Sequence, residues 1–220
     1  MEGVASVGWR PPPSVGNVVV ADTTMFTDAK LREVLGARSL EEAARIMARI
    51  LARASRMGLT VYITPSVRAE IERFMLGNGV HPTTFARLMA WVRVKPPTTH
   101  DLRLPAAMFR RYVETVRARL DKGLRVAEDH VRRALRSRDE EGDIVRSLRE
   151  KYREYTRKGL LDSVEDVDTL LLALELGAAI VTSDEGLRRA AEDLGITVLT
   201  PVELLEYILA LEEEVKSVEE

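Results

Sequence analysis

Three short, wholly or mostly apolar runs punctuate the chain: Val18-Val19-Val20-Ala21, Val61-Tyr62-Ile63-Thr64 and Ala179-Ile180-Val181-Thr182. Each is too short for a buried helix and lies between cap or turn residues, so each reads as a strand, as does 197–200. The runs do not alternate apolar with polar, so they belong to a sheet covered on both faces, as parallel sheets are.

Between the strands the hydrophobic period lengthens to that of helices. Ser39 followed by Glu42 resembles a capping box and opens a helix through about Met57. Pro65 starts a second helix that holds Glu70 and ends at Gly77-Asn78-Gly79. A third is predicted over 82–94, stopped by Pro96-Pro97. Later come helices over 163–176, with Gly177 as its cap, over 185–194, and from Pro201 onward. Strands alternating with helices define the α/β class.

The rhythm breaks over 105–158, where there is no strand candidate. Two long charged helices are predicted, 105–137 and 141–158. Their apolar stripes are narrow: Leu104, Met108, Tyr112, Val116 and Leu120 on one, Ile144, Leu148, Tyr152 and Tyr155 on the other. Such stripes suit a protruding antiparallel hairpin rather than a core. The expected organisation is a flexible leader over 1–16, an α/β domain over 17–102 and 159–220, and an inserted hairpin over 103–158.

Composition narrows the function classes. At 45% apolar residues the chain is globular, and with no cysteine it has neither disulfides nor thiolate metal sites. No apolar run approaches a membrane span and no signal-peptide pattern opens the chain, so a cytoplasmic protein with no membrane partner is expected. The net charge of −2 conceals a polarity. Residues 103–158 hold 17 Lys and Arg against 10 Asp and Glu, a net of +7 that leaves −9 for the rest. A basic segment on an acidic body points to a polyanion-binding surface beside a metal centre.

The acids are not scattered. From Gly159 to Leu187 there are seven, among them Asp162, Glu165, Asp166, Asp168 and Asp184, and no Lys or Arg. Asp162 and Asp166 are four apart, which puts them on one helix face, where like charges repel. Asp22 ends the first strand and Asp184 follows a later one. Open parallel sheets bind ligands at the carboxyl ends of their strands, so all four acids can meet at one edge. An all-carboxylate set suits hard Mg²⁺ or Mn²⁺, whereas the three His are scattered without ligand spacing. Two such cations can clamp the attacking and leaving oxygens of a phosphodiester.

Each acid also has a plainer reading. Asp162 with Glu165, or Ser163 with Asp166, can form a capping box; Asp22 and Asp184 can cap the helices that follow them. Asp168 lies off the 162/166 face and is either a neighbour of the ligands or solvated. Glu70 reads as a surface or ion-paired residue.

Val19-Val20-Ala21-Asp22-Thr23-Thr24, Asp166, and Ala173 through Asp184 with its Thr182-Ser183-Asp184 close resemble a PIN-domain nuclease. More narrowly, the Asp162/Asp166/Asp184 set, the hairpin before it and the opening Asp22-Thr23-Thr24-Met25-Phe26-Thr27 resemble HARP, the minimal protein-only ribonuclease P family. Its archaeal members are often labelled RNA ligase partner proteins. The resemblance covers roughly 17–205. It implies a PIN-like parallel sheet flanked by helices and a Mg²⁺- or Mn²⁺-dependent cut that removes the 5′ leader of precursor tRNA. The tRNA keeps a 5′-phosphate and the leader a 3′-hydroxyl. Asp22, Asp162, Asp166 and Asp184 are then the catalytic and metal-holding residues, with Thr24, Asp168 and Ser183 beside them. The 1–16 leader departs from the family pattern, as does Thr24, where PIN proteins commonly have Ser or Asn; Thr keeps the hydroxyl.

Arg146, Arg149, Arg153 and Arg157, spaced three, four and four, share one helix face and can bind successive phosphates. Pairing with Glu150 and Glu154 is the plainer reading. Arg149 and Arg153 match positions that the resemblance implicates in tRNA contact. No aromatic-rich motif for stacking single-stranded bases stands out, which favours readout of folded RNA by shape and backbone. The resemblance also implies a homo-oligomer, with hairpins pairing subunits into dimers that build a larger assembly. Two alternatives are another PIN-type ribonuclease acting on a different RNA, and a non-catalytic RNA-binding partner protein.

Overall fold

The computed structural model describes residues 15–100, 103–104, 106–136, 140–157 and 163–219. In chain order the elements are β1 (Val18–Ala21), α1 (Thr24–Thr27), α2 (Ala29–Val34), α3 (Leu40–Arg56), β2 (Thr60–Ile63), α4 (Pro65–Gly77), α5 (Pro82–Met89) and β3 (Val92–Val94). They continue with α6 (Ala106–Ala134), α7 (Glu141–Arg157), α8 (Val164–Leu176), β4 (Ala179–Val181), α9 (Glu185–Asp193), β5 (Val198–Leu199) and α10 (Pro201–Glu219).

The strands form one sheet in the order β3-β2-β1-β4-β5, and every pairing is parallel. Successive residues of β1 serve opposite faces, as a pleat requires. Val19 and Ala21 join the core under α3, α4, α5 and α10, while Val20 joins a second core with Leu170, Leu172, Ile180 and Leu187 beneath α8 and α9. Both faces are thus covered, which accounts for the uninterrupted apolar text of the strands. β1 is the central strand. The chain winds from it to β2 and β3 on one side and returns to β4 and β5 on the other, so the winding reverses between β1 and β4.

The caps follow the sequence. The Ser39 side chain accepts from Glu42 N, Pro65 sits in the first turn of α4, and Gly177 ends α8 with φ 60°. One expectation is corrected. The single helix over 82–94 ends at Met89, and Val92–Val94 is a strand that pairs Val61 with Val92 and Ile63 with Val94. An edge strand of three residues, buried only at Val92, carries too little apolar text to announce itself; its pairing with β2 decides the conformation.

α6 and α7 pack against each other as an antiparallel pair. Gly123 lets them approach: a Cβ there would stand 2.8 Å from the Tyr152 ring and 2.9 Å from Thr156 Cγ2. Buried His130 accepts or donates at both ring nitrogens, 2.7 Å from the Val126 carbonyl and 3.2 Å from Ser147 Oγ. Phe109, Leu120, Leu124 and Leu135 remain exposed on this pair. Of the expected leader, residues 1–14 lie outside the described residues; Val15 packs on the core and its carbonyl accepts from Tyr207 Oη. Among the described residues no helix is long and apolar enough to cross a membrane.

Candidate active site

The reversal between β1 and β4 opens a crevice at their carboxyl ends, and the chain leaves each strand on an acid. β1 delivers Asp22, whose N–H continues the ladder by donating to the Val181 carbonyl at 3.1 Å. β4 delivers Thr182, Ser183 and Asp184. Asp22, Thr23, Thr24 and Asp184, together with α4 from Ser66 to Arg73 and the start of α8, line a cleft of about 500 Å³ that holds Asp22, Asp166, Asp184, Glu165 and Glu70.

Asp22 is 5% exposed, and protein groups fix both its oxygens. Oδ1 accepts from Thr24 N at 2.8 Å and Thr24 Oγ1 at 2.5 Å; Oδ2 accepts from Thr182 Oγ1 at 2.6 Å. Burial pushes its carboxyl above the ordinary aspartate range, and these hydrogen bonds offset only part of that push. The carboxylate is therefore clamped in place, and among the described residues no Lys or Arg forms an ion pair with it, a state in which an added positive charge is favourable.

Thr182 continues the chain of contacts. Its hydroxyl donates to Asp22 and accepts from Asp184 N at 2.9 Å. Asp184 caps α9, Oδ1 accepting from Leu187 N at 2.8 Å, and lines the cleft as well. Ser183 N donates to Thr24 Oγ1 at 2.7 Å, and Ser183 Oγ donates to Asp28 Oδ2 at 2.5 Å. Asp28 is partly buried, but the Ser183 hydroxyl and the N–H groups of Leu31 and Lys30 outweigh this and hold it below the usual range.

On α8 the N-cap is Ser163, which accepts from Asp166 N at 3.0 Å. Asp166 faces the cleft from the first turn; Asp168, two residues on, is half-buried and does not line it. Asp162 lies outside the described residues. Two lining groups stand outside the expected site set, and the sequence reads one of them, Glu70, as a surface or ion-paired residue. Glu70 accepts from Thr23 Oγ1 at 2.5 Å, and Arg73, one turn further along α4, is the cation among the described lining residues. Their i, i+3 spacing puts them on one face, but only the position of α4 beyond β2 shows that the face looks into the crevice.

The donor set is oxygen throughout, which fits a hard divalent cation and not a soft one. Among the described residues no three of these acids close on a single ion-sized point. Asp162, the remaining acid of the expected set, falls in the part not described.

On α7, Arg146, Arg149 and Arg153 share one surface concavity with Glu141, Val145 and Glu150. Among the described residues no ion pair joins Arg149 or Arg153 to Glu150 or Glu154, while Arg146 lies 4.0 Å from Asp143. The Arg157 side chain is not among those described.

A parallel sheet with acids at its reversal point is the frame of a metal-assisted phosphodiesterase, and sequence comparison agrees. The profile of a family described as "PINc domain ribonuclease" matches residues 18–212. An RNA-free ribonuclease P from Aeropyrum pernix is 97% identical over 97% of this chain and 100% of its own length. The protein of that name from Hyperthermus butylicus is 47% identical over 88% of each chain, and the one from Archaeoglobus fulgidus 38% over 80% of this chain and 83% of its own. The chain belongs to the RNA-free ribonuclease P family of PIN-domain ribonucleases. Ribonucleases of the PIN class generally depend on divalent metal.

Proposed function

We propose that this protein removes the 5′ leader of precursor tRNA by hydrolysis at a Mg²⁺ or Mn²⁺ centre held by Asp22, Asp162, Asp166 and Asp184. The observation that carries the reading is the cleft itself. Asp22, Asp166 and Asp184 come from three separate elements, yet they line one crevice at the winding reversal of a PIN-type sheet. The name shared by the relatives supplies the substrate class.

The chain's own groups divide the work. Asp22 is held rigid by Thr24 and Thr182, so the carboxylate loses no freedom when a cation arrives. Thr182 and the α9 backbone orient Asp184, and Ser183 steadies Thr24. A divalent cation held by Asp22, Asp162, Asp166 and Asp184 would supply Lewis acidity and positive charge toward the scissile phosphate. Water adds to phosphorus in line and the leader O3′ departs, which gives a 5′-phosphate on the tRNA and a 3′-hydroxyl on the leader. No side-chain nucleophile is required. Asp168, half-buried and outside the described cleft lining, takes no direct part in this reading.

The finer organisation belongs to the same proposal. Arg146, Arg149, Arg153 and Arg157 contact tRNA phosphates, and the exposed apolar faces of α6 and α7 pair subunits into dimers that build a larger assembly.

The experiment is incubation of the purified protein with 5′-labelled precursor tRNA, with Mg²⁺ or with EDTA, followed by sizing of the products. A single metal-dependent cut at the mature 5′ end is expected. Cuts in the anticodon loop or at many sites would keep the chemistry and reject the substrate; binding without cutting would favour a partner protein.

A further inference from the structure

Between α3 and α5 lies a second concavity, of about 670 Å³, that shares no lining residue with the carboxylate cleft. Its small residues are Ala48, Ala52 and Ala90; its cations are Arg45, Arg49 and Arg87; Thr84 and Trp91 complete the described lining. No Asp or Glu lines it. Arg45 is held by Glu41 at 2.7 Å, and Glu41 is itself fixed by Thr84 Oγ1 and His81 N. Arg49 and Arg87 are exposed, and among the described residues neither has a carboxylate within ion-pair distance. Trp91 leaves 39% of its surface in solvent.

We infer that this groove binds single-stranded RNA, with a base stacked on Trp91 and the flanking phosphates on Arg49 and Arg87. Three properties point to that chemistry. An exposed indole offers a stacking face to any base. Two guanidiniums with no carboxylate at ion-pair distance among the described residues match phosphates, which they bind in a planar fork. Ala48, Ala52 and Ala90 carry only methyl groups and leave room in the concavity for a planar group. An acidic peptide would satisfy the arginines but leave the indole and the alanine floor without a ligand. The inference rests on the reading of the chain as a ribonuclease acting on precursor tRNA, whose single-stranded ends are the 5′ leader and any 3′ extension. Shape readout by the α6–α7 pair then has a second, sequence-tolerant contact on the α/β body.

The test uses the whole protein in two assays. In the first, fluorescence anisotropy follows binding of an unstructured, dye-labelled RNA oligonucleotide. Arg49→Glu with Arg87→Glu is expected to weaken binding tenfold or more and to lower the salt slope by about 1.4 units, near 0.7 per single-strand phosphate contact. Trp91→Leu is expected to weaken it about tenfold, and Trp91→Phe, which keeps an aromatic face, by less than about threefold. Arg32→Glu with Arg38→Glu makes the same charge change elsewhere on the exposed surface and is expected to have little effect. Because Arg49 and Arg87 are exposed, the charge reversal tests the groove even if Trp91→Leu fails to fold.

In the second assay, KM and kcat are compared for precursors with a long leader, a one-nucleotide leader, or a 3′ extension. KM for the substrate that fills the groove should rise in the double variant with kcat unchanged, and the substrate affected identifies the 5′ or the 3′ source. Oligonucleotide binding equal to wild type, or an equal loss in the Arg32/Arg38 control, overturns the inference. So does an altered sedimentation coefficient with RNA affinity intact, which would make the groove a protein contact. If wild type fails to cut precursor tRNA yet loses oligonucleotide binding in the variants, the substrate assignment fails while the groove stands.

Discussion

The Thr182 hydroxyl joins two strands of the crevice, donating to Asp22 Oδ2 at 2.6 Å while accepting from Asp184 N at 2.9 Å. One fully buried oxygen thereby sets the position of both strand-end acids. Thr182→Val keeps the shape and removes the link. It should cost about 1–3 kcal/mol of stability, because the N–H and the carboxylate lose a buried partner. The hydroxyl also lowers the Asp22 pKa, so its loss raises it further and shifts the acid limb of the kcat/KM profile to higher pH. An unshifted profile would show that Asp22 ionisation does not govern the rate.

Asp166→Asn preserves the Ser163 cap, which uses the backbone N–H, and removes one charge from the cleft. Cleavage of precursor tRNA should fall by about 10³-fold or more, in keeping with the several kcal/mol that charge stabilisation supplies. Melting temperature and tRNA affinity should stay near wild type. A wild-type rate would remove Asp166 from the centre.

Asp22 makes the metal-free protein's stability depend on pH. Its folded pKa is raised, so the folded chain holds the proton more tightly than the unfolded one. The resulting stabilisation is fully present below the unfolded value of about 3.8 and is lost as pH rises through the folded value. Asp22→Asn should therefore melt higher than wild type in EDTA at neutral pH, and the gap should close in acid. Added Mg²⁺ or Mn²⁺ should raise the melting temperature of wild type and leave the variant unmoved. Thermal scans with and without the cation read all three effects.

These three residues also show what could be read from the chain. Asp22 and Asp184 were legible because each follows a short apolar run, and a strand-end acid in a parallel α/β pattern has few places to go. The choice between cap and cleft was not legible, because it is not a choice: Asp184 caps α9 through Oδ1 and still lines the crevice. On α8 the cap proves to be Ser163, while Asp22 is tied by Thr24 rather than serving as an N-cap. Glu70 reads from the sequence as a surface or ion-paired residue, and Arg73 carries no signal there, because helical spacing gives a face but not its direction. Val92–Val94 reads as helix in the sequence because a three-residue edge strand is fixed by its partner strand. Trp91 stands alone in the sequence; α3 brings Arg49 beside it only in three dimensions.

Arg149→Ala with Arg153→Ala should weaken precursor tRNA binding and flatten its salt dependence by about two units of log–log slope, near one per arginine. Neither side chain is occupied by the neighbouring Glu150 or Glu154 among the described residues, so both are available to phosphate. The single-turnover rate at saturating enzyme should be unchanged. Filter binding across a salt series is the measurement, and an unaltered slope would return the stripe to plain solvation.

Gly123 fixes how closely α6 and α7 lie. A methyl group there gains about 1 kcal/mol of intrinsic helix preference over glycine. It must also displace the Tyr152 ring, 2.8 Å away, and Thr156 Cγ2, at 2.9 Å. The ring is partly exposed and can swing, but Thr156 is β-branched and its hydroxyl is tied to the Tyr152 carbonyl at 2.7 Å. Overpacking of this kind costs about 1–3 kcal/mol, so Gly123→Ala should be net destabilising and Gly123→Leu more so. Hydrogen exchange should show the loss concentrated in α6 and α7, with the sheet's protection unchanged. A gain in protection across α6 would mean that the two helices can separate freely and that their contact is not a constraint on the fold.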